Sequence, residues 1–240
     1  MKDLIKKILK EETEEVFVIP GLSFFPDEID GLRNFIQKKN IKRWSLDDNL
    51  NLGGYDGNLT WLEGLVSITG FLDLDRTEIK FLGNLQSVGG YLDIRYTLIE
   101  SLPNLQSVGR FLQLRGTEIR SLPKLQSVGD GLDLKGTPIK DLTNLQSVGG
   151  SLDLRRTPIK DLPNLQSVGG SLDLEETSIK DLPNLQSVGS YLDIRGTKIE
   201  SLPKLQYVGT NLWLNKYVFK NYTDEEIMDM INIGREIIRQ

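Results

Sequence analysis

Carboxylates are the side chains through which this chain could do chemistry. The densest group is Asp153, Asp173, Glu175, Glu176 and Asp193. Calcium takes carboxylate oxygens, and paired carboxylates can serve as acid and base in glycoside hydrolysis. Neither chemistry has its usual frame here. The glycine-rich calcium nonapeptide and the EF-hand spacing are absent, and Arg155 and Arg195 compete for the same carboxylates. The acids recur too regularly, on a face expected to be exposed, to suggest raised pKa values in a pocket. The chain has no Cys and no His. That removes disulfides, thiolate nucleophiles, the usual general base and the commonest metal ligand. No phosphate loop, nucleophile elbow or metal motif is present. The expectation is a protein that is not an enzyme, with no catalytic residue, cofactor or metal.

The elements that would position these acids follow from a repeat. Residues 71–210 are seven copies of a 20-residue unit without insertion or deletion, the signature of a solenoid. One copy reads SLDLRRTPIKDLPNLQSVGG, residues 151–170, with apolar residues at Leu152, Leu154, Ile159, Leu162, Leu165 and Val168. All seven copies keep these six positions apolar. Leu152-Asp153-Leu154 alternates, which predicts a short strand with both Leu side chains inward. Gly149 and its equivalents Gly89, Gly109, Gly129, Gly169, Gly189 and Gly209 are invariant among the copies, which suggests a positive φ at that site. Every copy has Thr at the place of Thr157, a hydroxyl expected to bond backbone groups of the next coil. Pro163 and the short spacing disfavour a full helix over 159–168, where extended or 3₁₀ backbone is expected. One coil cannot fold alone, so stability belongs to the stack. Seven coils at ~4.8 Å per strand make a stack roughly 34 Å long.

Three divisions follow. Residues 1–49 are expected as a helical cap, with helices over 2–15 and 26–40, the latter carrying Ile29, Leu32, Phe35 and Ile36 on one face. Residues 50–214 are the solenoid: the seven units plus degenerate end coils at Leu50-Asn51-Leu52 and Leu212-Trp213-Leu214. Residues 215–240 are expected to hold a capping helix. Thr223 and Glu226 form its capping box, and it runs to about Arg239 with Ile227, Met230, Ile231, Ile237 and Ile238 as its apolar face.

Lys plus Arg is 29 and Asp plus Glu is 34, a net charge of −5. Such a balance argues against general nucleic-acid or anionic-membrane binding, which draw on basic surface. No run reaches the ~18 apolar residues of a membrane span, and the N-terminus lacks a signal-peptide h-region. The expected location is the cytoplasm, or a virion if the protein is phage-encoded.

The pattern LxLxxTxIxxLPxLxxVGG, carried here by Leu152, Leu154, Thr157, Ile159, Leu162 and Leu165 and their equivalents, resembles a leucine-rich repeat. The 20-residue length and Leu-Pro pair resemble the short repeats of bacterial effector proteins. The Val-Gly-Gly-x-Leu-x-Leu segment is similar to the L domains of growth-factor receptors. The resemblance covers residues 50–214. It departs from the family in placing Thr where Asn is usual, and Val168 four residues before Leu172 instead of a Leu three before. It implies a mainly β fold: a right-handed parallel β solenoid of leucine-rich-repeat type with helical end caps, whose sheet face binds macromolecules, usually proteins. Some bacterial relatives append a ligase with a catalytic Cys, which this chain lacks.

Three columns should line that sheet face. The first runs Phe71, Tyr91, Phe111, Gly131, Ser151, Ser171, Tyr191, Asn211. The second is Asp except at Gln113 and Trp213, and the third is mostly basic, including Arg95, Arg115, Arg155 and Arg195. Cross-column pairs can neutralise each ladder, with Glu175 between Arg155 and Arg195 as a compensated triplet. The aromatics are either binding anchors or stack on one another and beneath the N-terminal segment. The candidate partner-binding residues are Phe71, Tyr91, Phe111, Arg95, Arg115 and Tyr96. The first expectation for function is a protein-binding scaffold. Its alternatives are a structural component of a larger assembly, such as a phage particle, and a carbohydrate-binding surface on the aromatic column. The sequence names neither the partner nor the oligomeric state.

Overall fold

The computed structural model describes residues 16–25, 27–215 and 218–239. Over these residues the chain is a mainly β, parallel solenoid of about eight turns with a ~20-residue period. Each coil contributes two very short strands. Leu152–Asp153 and its equivalents build one parallel sheet, here the Leu-Asp sheet; Ser147–Val148 and its equivalents build the second, the Ser-Val sheet. The pairing keeps strict register: Leu132, Leu152 and Leu172 face one another, as do Val128, Val148 and Val168. Leu152 donates its N–H to the Ser171 carbonyl at 2.8 Å, and Gly149 donates to Val128 at 2.8 Å. All six apolar positions of each unit are buried in one continuous core.

The invariant glycines act through space and not through φ. None of Gly89 to Gly209 in that column has a left-handed backbone. Consecutive coils approach so closely there that a Cβ on Gly149 would overlap the Gly129 carbonyl oxygen. The left-handed residues lie elsewhere, at the turn after the Leu-Asp strand: Arg76, Tyr96, Gly116, Gly136, Arg156, Glu176 and Gly196, with φ between 54° and 72°. The Thr hydroxyl also bonds within its own coil. Thr157 Oγ1 donates to the Leu154 carbonyl at 2.7 Å and closes that same turn, and the other six threonines repeat the contact. It does not bond the next coil because its one proton is spent on the carbonyl three residues back. Beside the backbone ladders, Asn side chains bond from coil to coil: Asn164 Nδ2 donates to the Thr143 carbonyl and Asn184 Nδ2 to the Pro163 carbonyl.

At the N-side, helix α1 spans Glu28–Lys39 and buries Leu32 and Ile36 in the same core. It joins two parallel strands, Phe17–Ile19 and Trp44–Leu46, so the Ser-Val sheet already extends into the segment expected to be helical. The helix expected over 2–15 lies outside the described residues. At the C-side the capping box forms: Glu226 N–H donates to Thr223 Oγ1 at 3.1 Å, and Thr223 N–H to Glu226 Oε2 at 2.7 Å. The helix it opens, α2, covers only Asp224–Met230. Asn232–Ile233 and Ile237–Arg239 then join the two sheets in parallel. Gly234 interrupts the helix, β-branched Ile disfavours it, and Gly234 to Ile237 repeats the spacing of Gly209 to Leu212. The expected apolar helix face to Ile238 is therefore a helix of about two turns plus one more coil, and Met230 is exposed. Among the described residues no helix is long and apolar enough to cross a membrane.

Candidate functional site

The outer face of the Leu-Asp sheet carries the three expected columns. The Asp column has a local structural use. Asp153 Oδ1 accepts the backbone N–H of Arg155 at 3.0 Å, and Asp73, Asp93, Asp133, Asp173 and Asp193 each accept the N–H two residues on. Each carboxylate thus shapes the bend leaving its strand.

The Arg column folds back onto these acids. Arg95 clamps Asp93 with contacts of 2.6 to 3.0 Å, and Arg155 and Arg195 repeat the clamp on Asp153 and Asp193. Arg155 Nε also lies 3.2 Å from Asp173 across the strands. Cross-column neutralisation is therefore observed. The triplet around Glu175 is only half made: Arg195 approaches it at 3.8 Å, whereas Arg155 turns to Asp173. Among the described residues, no three acids converge so as to hold a metal ion.

Asp93, Asp173 and Asp193 are buried although they point outward. Tyr191 lies over Asp173 and donates its phenol to Oδ2 at 3.4 Å. Burial holds the Asp173 carboxyl above its ordinary range, against the pull of the Glu175 N–H and Arg155. Burial likewise pushes the Tyr191 and Tyr91 phenols up, with neighbouring carboxylates adding to the effect.

The six candidate residues divide into two groups. Phe71 and Tyr91 stack on each other, ring centroids 4.6 Å apart and 4° from parallel, so each hides much of the other. Arg95 is committed to Asp93. Phe111 is 46% exposed, and its ring lies beside Gly131, where the column turns small. Arg115 is exposed; its guanidinium has no carboxylate within 4.0 Å and donates no hydrogen bond among the described residues. Tyr96 is also exposed, but it sits in the left-handed turn, over Gly116 and 5.6 Å from the Arg76 guanidinium, and not on the strand itself. Phe111 and Arg115 line a hollow of about 390 Å³ with Arg95, Gln113, Gly131 and Asp133.

Two further features escaped the reading of the repeat. The far end of the same face holds Tyr191 and Trp213 at 6.3 Å, with the Arg195 guanidinium 4.0 Å above the Trp213 ring. The signal was present, since Tyr191 and Trp213 are aromatic departures within the outward columns. The Ser-Val sheet carries a trough of about 740 Å³ floored by Ser and Gly columns such as Ser107, Gly109, Ser127 and Gly129. Its uniformity across copies gave no residue to single out.

Comparison of the chain with protein-family models, with curated proteins and with solved structures gave no match.

Proposed function

We propose that the protein is a non-enzymatic binding module of leucine-rich-repeat type that holds a protein partner on its Leu-Asp sheet. The observation that carries this reading is Phe111. The equivalents Gly131, Ser151 and Ser171 demonstrate that the fold accepts small residues in that column. Among the described residues Phe111 pairs with no other ring, and its exposed area favours association with another apolar surface. A non-catalytic role is supported by the Asp column, whose carboxylates are engaged in turns and Arg clamps. A cytoplasmic setting accords with the absence of Cys but rests on no contact in the fold.

The test is partner capture by crosslinking, followed by affinity measurement on the purified pair. Phe111→Ser should weaken binding by at least ~2 kcal/mol, the scale of an interface hot spot, with thermal stability nearly intact. Tyr91→Ser is the contrasting change. It removes a stacking partner and should lower stability by about 0.5–1.5 kcal/mol. Unchanged affinity in Phe111→Ser would move the site away from this coil.

A further inference from the structure

Four arginines and Lys135 stand in the outward basic column, and three of the arginines are clamped by a carboxylate of their own strand: Arg95 by Asp93, Arg155 by Asp153 and Arg195 by Asp193. Lys135 makes no ion pair among the described residues although Asp133 lies on its strand, and the fourth arginine lacks even that carboxylate. Gln113 stands where the other six units have Asp, and Arg115 is left exposed without an ion pair. Its neighbours in the column are Arg95 and Lys135, so the adjacent strands bring like charge. Asp133 pairs in register with Gln113, but it bonds the Lys135 N–H and no oxygen of it lies within 4.0 Å of Arg115. Along the four strands from Leu92 to Asp153, four cations therefore face three carboxylates, in a chain whose net charge is −5. The same coil carries Phe111, and the hollow of about 390 Å³ opens beside both residues.

We infer that this hollow takes an acidic segment of a protein partner: a carboxylate on the Arg115 guanidinium, with a neighbouring apolar side chain over Gly131 against Phe111. The inference rests on the binding-module reading and names the chemistry of its partner. A guanidinium presents a planar fork of donors that matches a carboxylate in two parallel bonds. The Gly131 floor and Phe111 wall supply an apolar seat of side-chain size. The missing Asp is what makes the fork available, because elsewhere on the face the lattice has already filled it.

The experiment uses a random twelve-residue peptide display library panned on the immobilised full chain, with fluorescein-labelled synthetic copies of enriched sequences for affinity measurement. Enriched peptides should carry Asp or Glu within two residues of Phe, Tyr, Leu or Ile. Their Kd should rise at least about 10-fold in Arg115→Gln, because the charge-assisted pair is lost. Gln113→Asp should weaken them similarly. It introduces the repeat's own residue, so folding is preserved and Arg115 gains an internal partner. Replacing the peptide acid by its amide should cost the same factor in the native chain and nothing further in Arg115→Gln. Enrichment of peptides without acids, no enrichment over the Gln113→Asp chain, or equal affinity for the native chain and both variants would overturn the inference. Peptides that ignore Arg115 and Phe111 but are lost in Tyr191→Ser would also overturn it, while leaving binding by this sheet standing. Binding that ignores all three residues would overturn both readings.

Discussion

At the scale of single residues, the outward columns look like a solvated charge lattice, yet parts of that lattice are dry. Asp173 is the clearest case. Its carboxyl sits under Tyr191, and burial raises its pKa above the unfolded value. A carboxyl with a raised folded pKa binds its proton more tightly in the folded chain. Its contribution to stability is greatest at low pH and is lost as pH rises through the folded pKa. Asp173→Asn removes the titration while keeping an acceptor for the Glu175 N–H. Denaturant unfolding measured from pH 4 to pH 7 should therefore show the variant gaining on the native chain as pH increases. A variant that instead loses ground to the native chain as pH rises would mean that the Arg155 contact outweighs burial at this site. The glycine column gives the second residue-scale prediction. Gly149→Ala drives a Cβ into the Gly129 carbonyl, a backbone group with no side chain to yield. We expect a loss of about 3 kcal/mol, at the upper end for overpacking. Gly150→Ser should cost at most about 1 kcal/mol, since Ser190 and Thr210 occupy its equivalents. Urea unfolding of both variants decides the matter.

At the scale of elements, the period and the Leu-x-Leu strand were legible because apolar and polar residues alternate over three positions. The second sheet was not. Its strands are two residues long, and Val168 is their only apolar member, so alternation has no length over which to register. The glycines beside it signalled a constraint, but sequence alone does not distinguish a positive φ from a close approach of backbone. The C-terminal segment misled in another way. A sound capping box and a run of Ile read as a single helix, whereas Gly234 and the spacing to Ile237 restart the coil. Arg239 then stands at the inward position held by Leu214 one coil earlier. It is hydrogen-bonded to Asp224 and to the carbonyls of Val218 and Tyr222, so a polar side chain ends the apolar column. Since each coil pairs only with its neighbours, deleting residues 151–170 joins two equivalent coils. The shortened chain should fold with modestly lower stability. Deleting ten residues instead sets the Leu154 column against Asn164, the Ile159 column against Gly169 and the Val168 column against Ser178, and should abolish cooperative unfolding. Equal damage from the two deletions, read by circular dichroism and thermal melting, would show that the 20-residue unit is not the structural one.

For the whole molecule, near-identity of the coils makes departures from the repeat informative. A partner cannot choose among coils that present the same side chains, so selectivity has to come from the odd ones. Of the site candidates legible in sequence, the aromatic column was correct as a place of departure but not as one surface. Phe71 and Tyr91 satisfy each other, Arg95 is clamped, and Phe111 with Arg115 remain open. What the sequence could not express was which cation the lattice had already neutralised. That depends on side-chain reach between strands, although Gln113 was the visible clue. The most direct test replaces residues 111–130 with a copy of residues 151–170 and measures affinity for the captured partner alongside thermal unfolding. The unfolding midpoint should stay close to that of the native chain and the affinity should fall at least about 30-fold, equivalent to ~2 kcal/mol. A replacement that unfolds normally and binds as tightly as the native chain would contradict the claim that this coil forms the binding site.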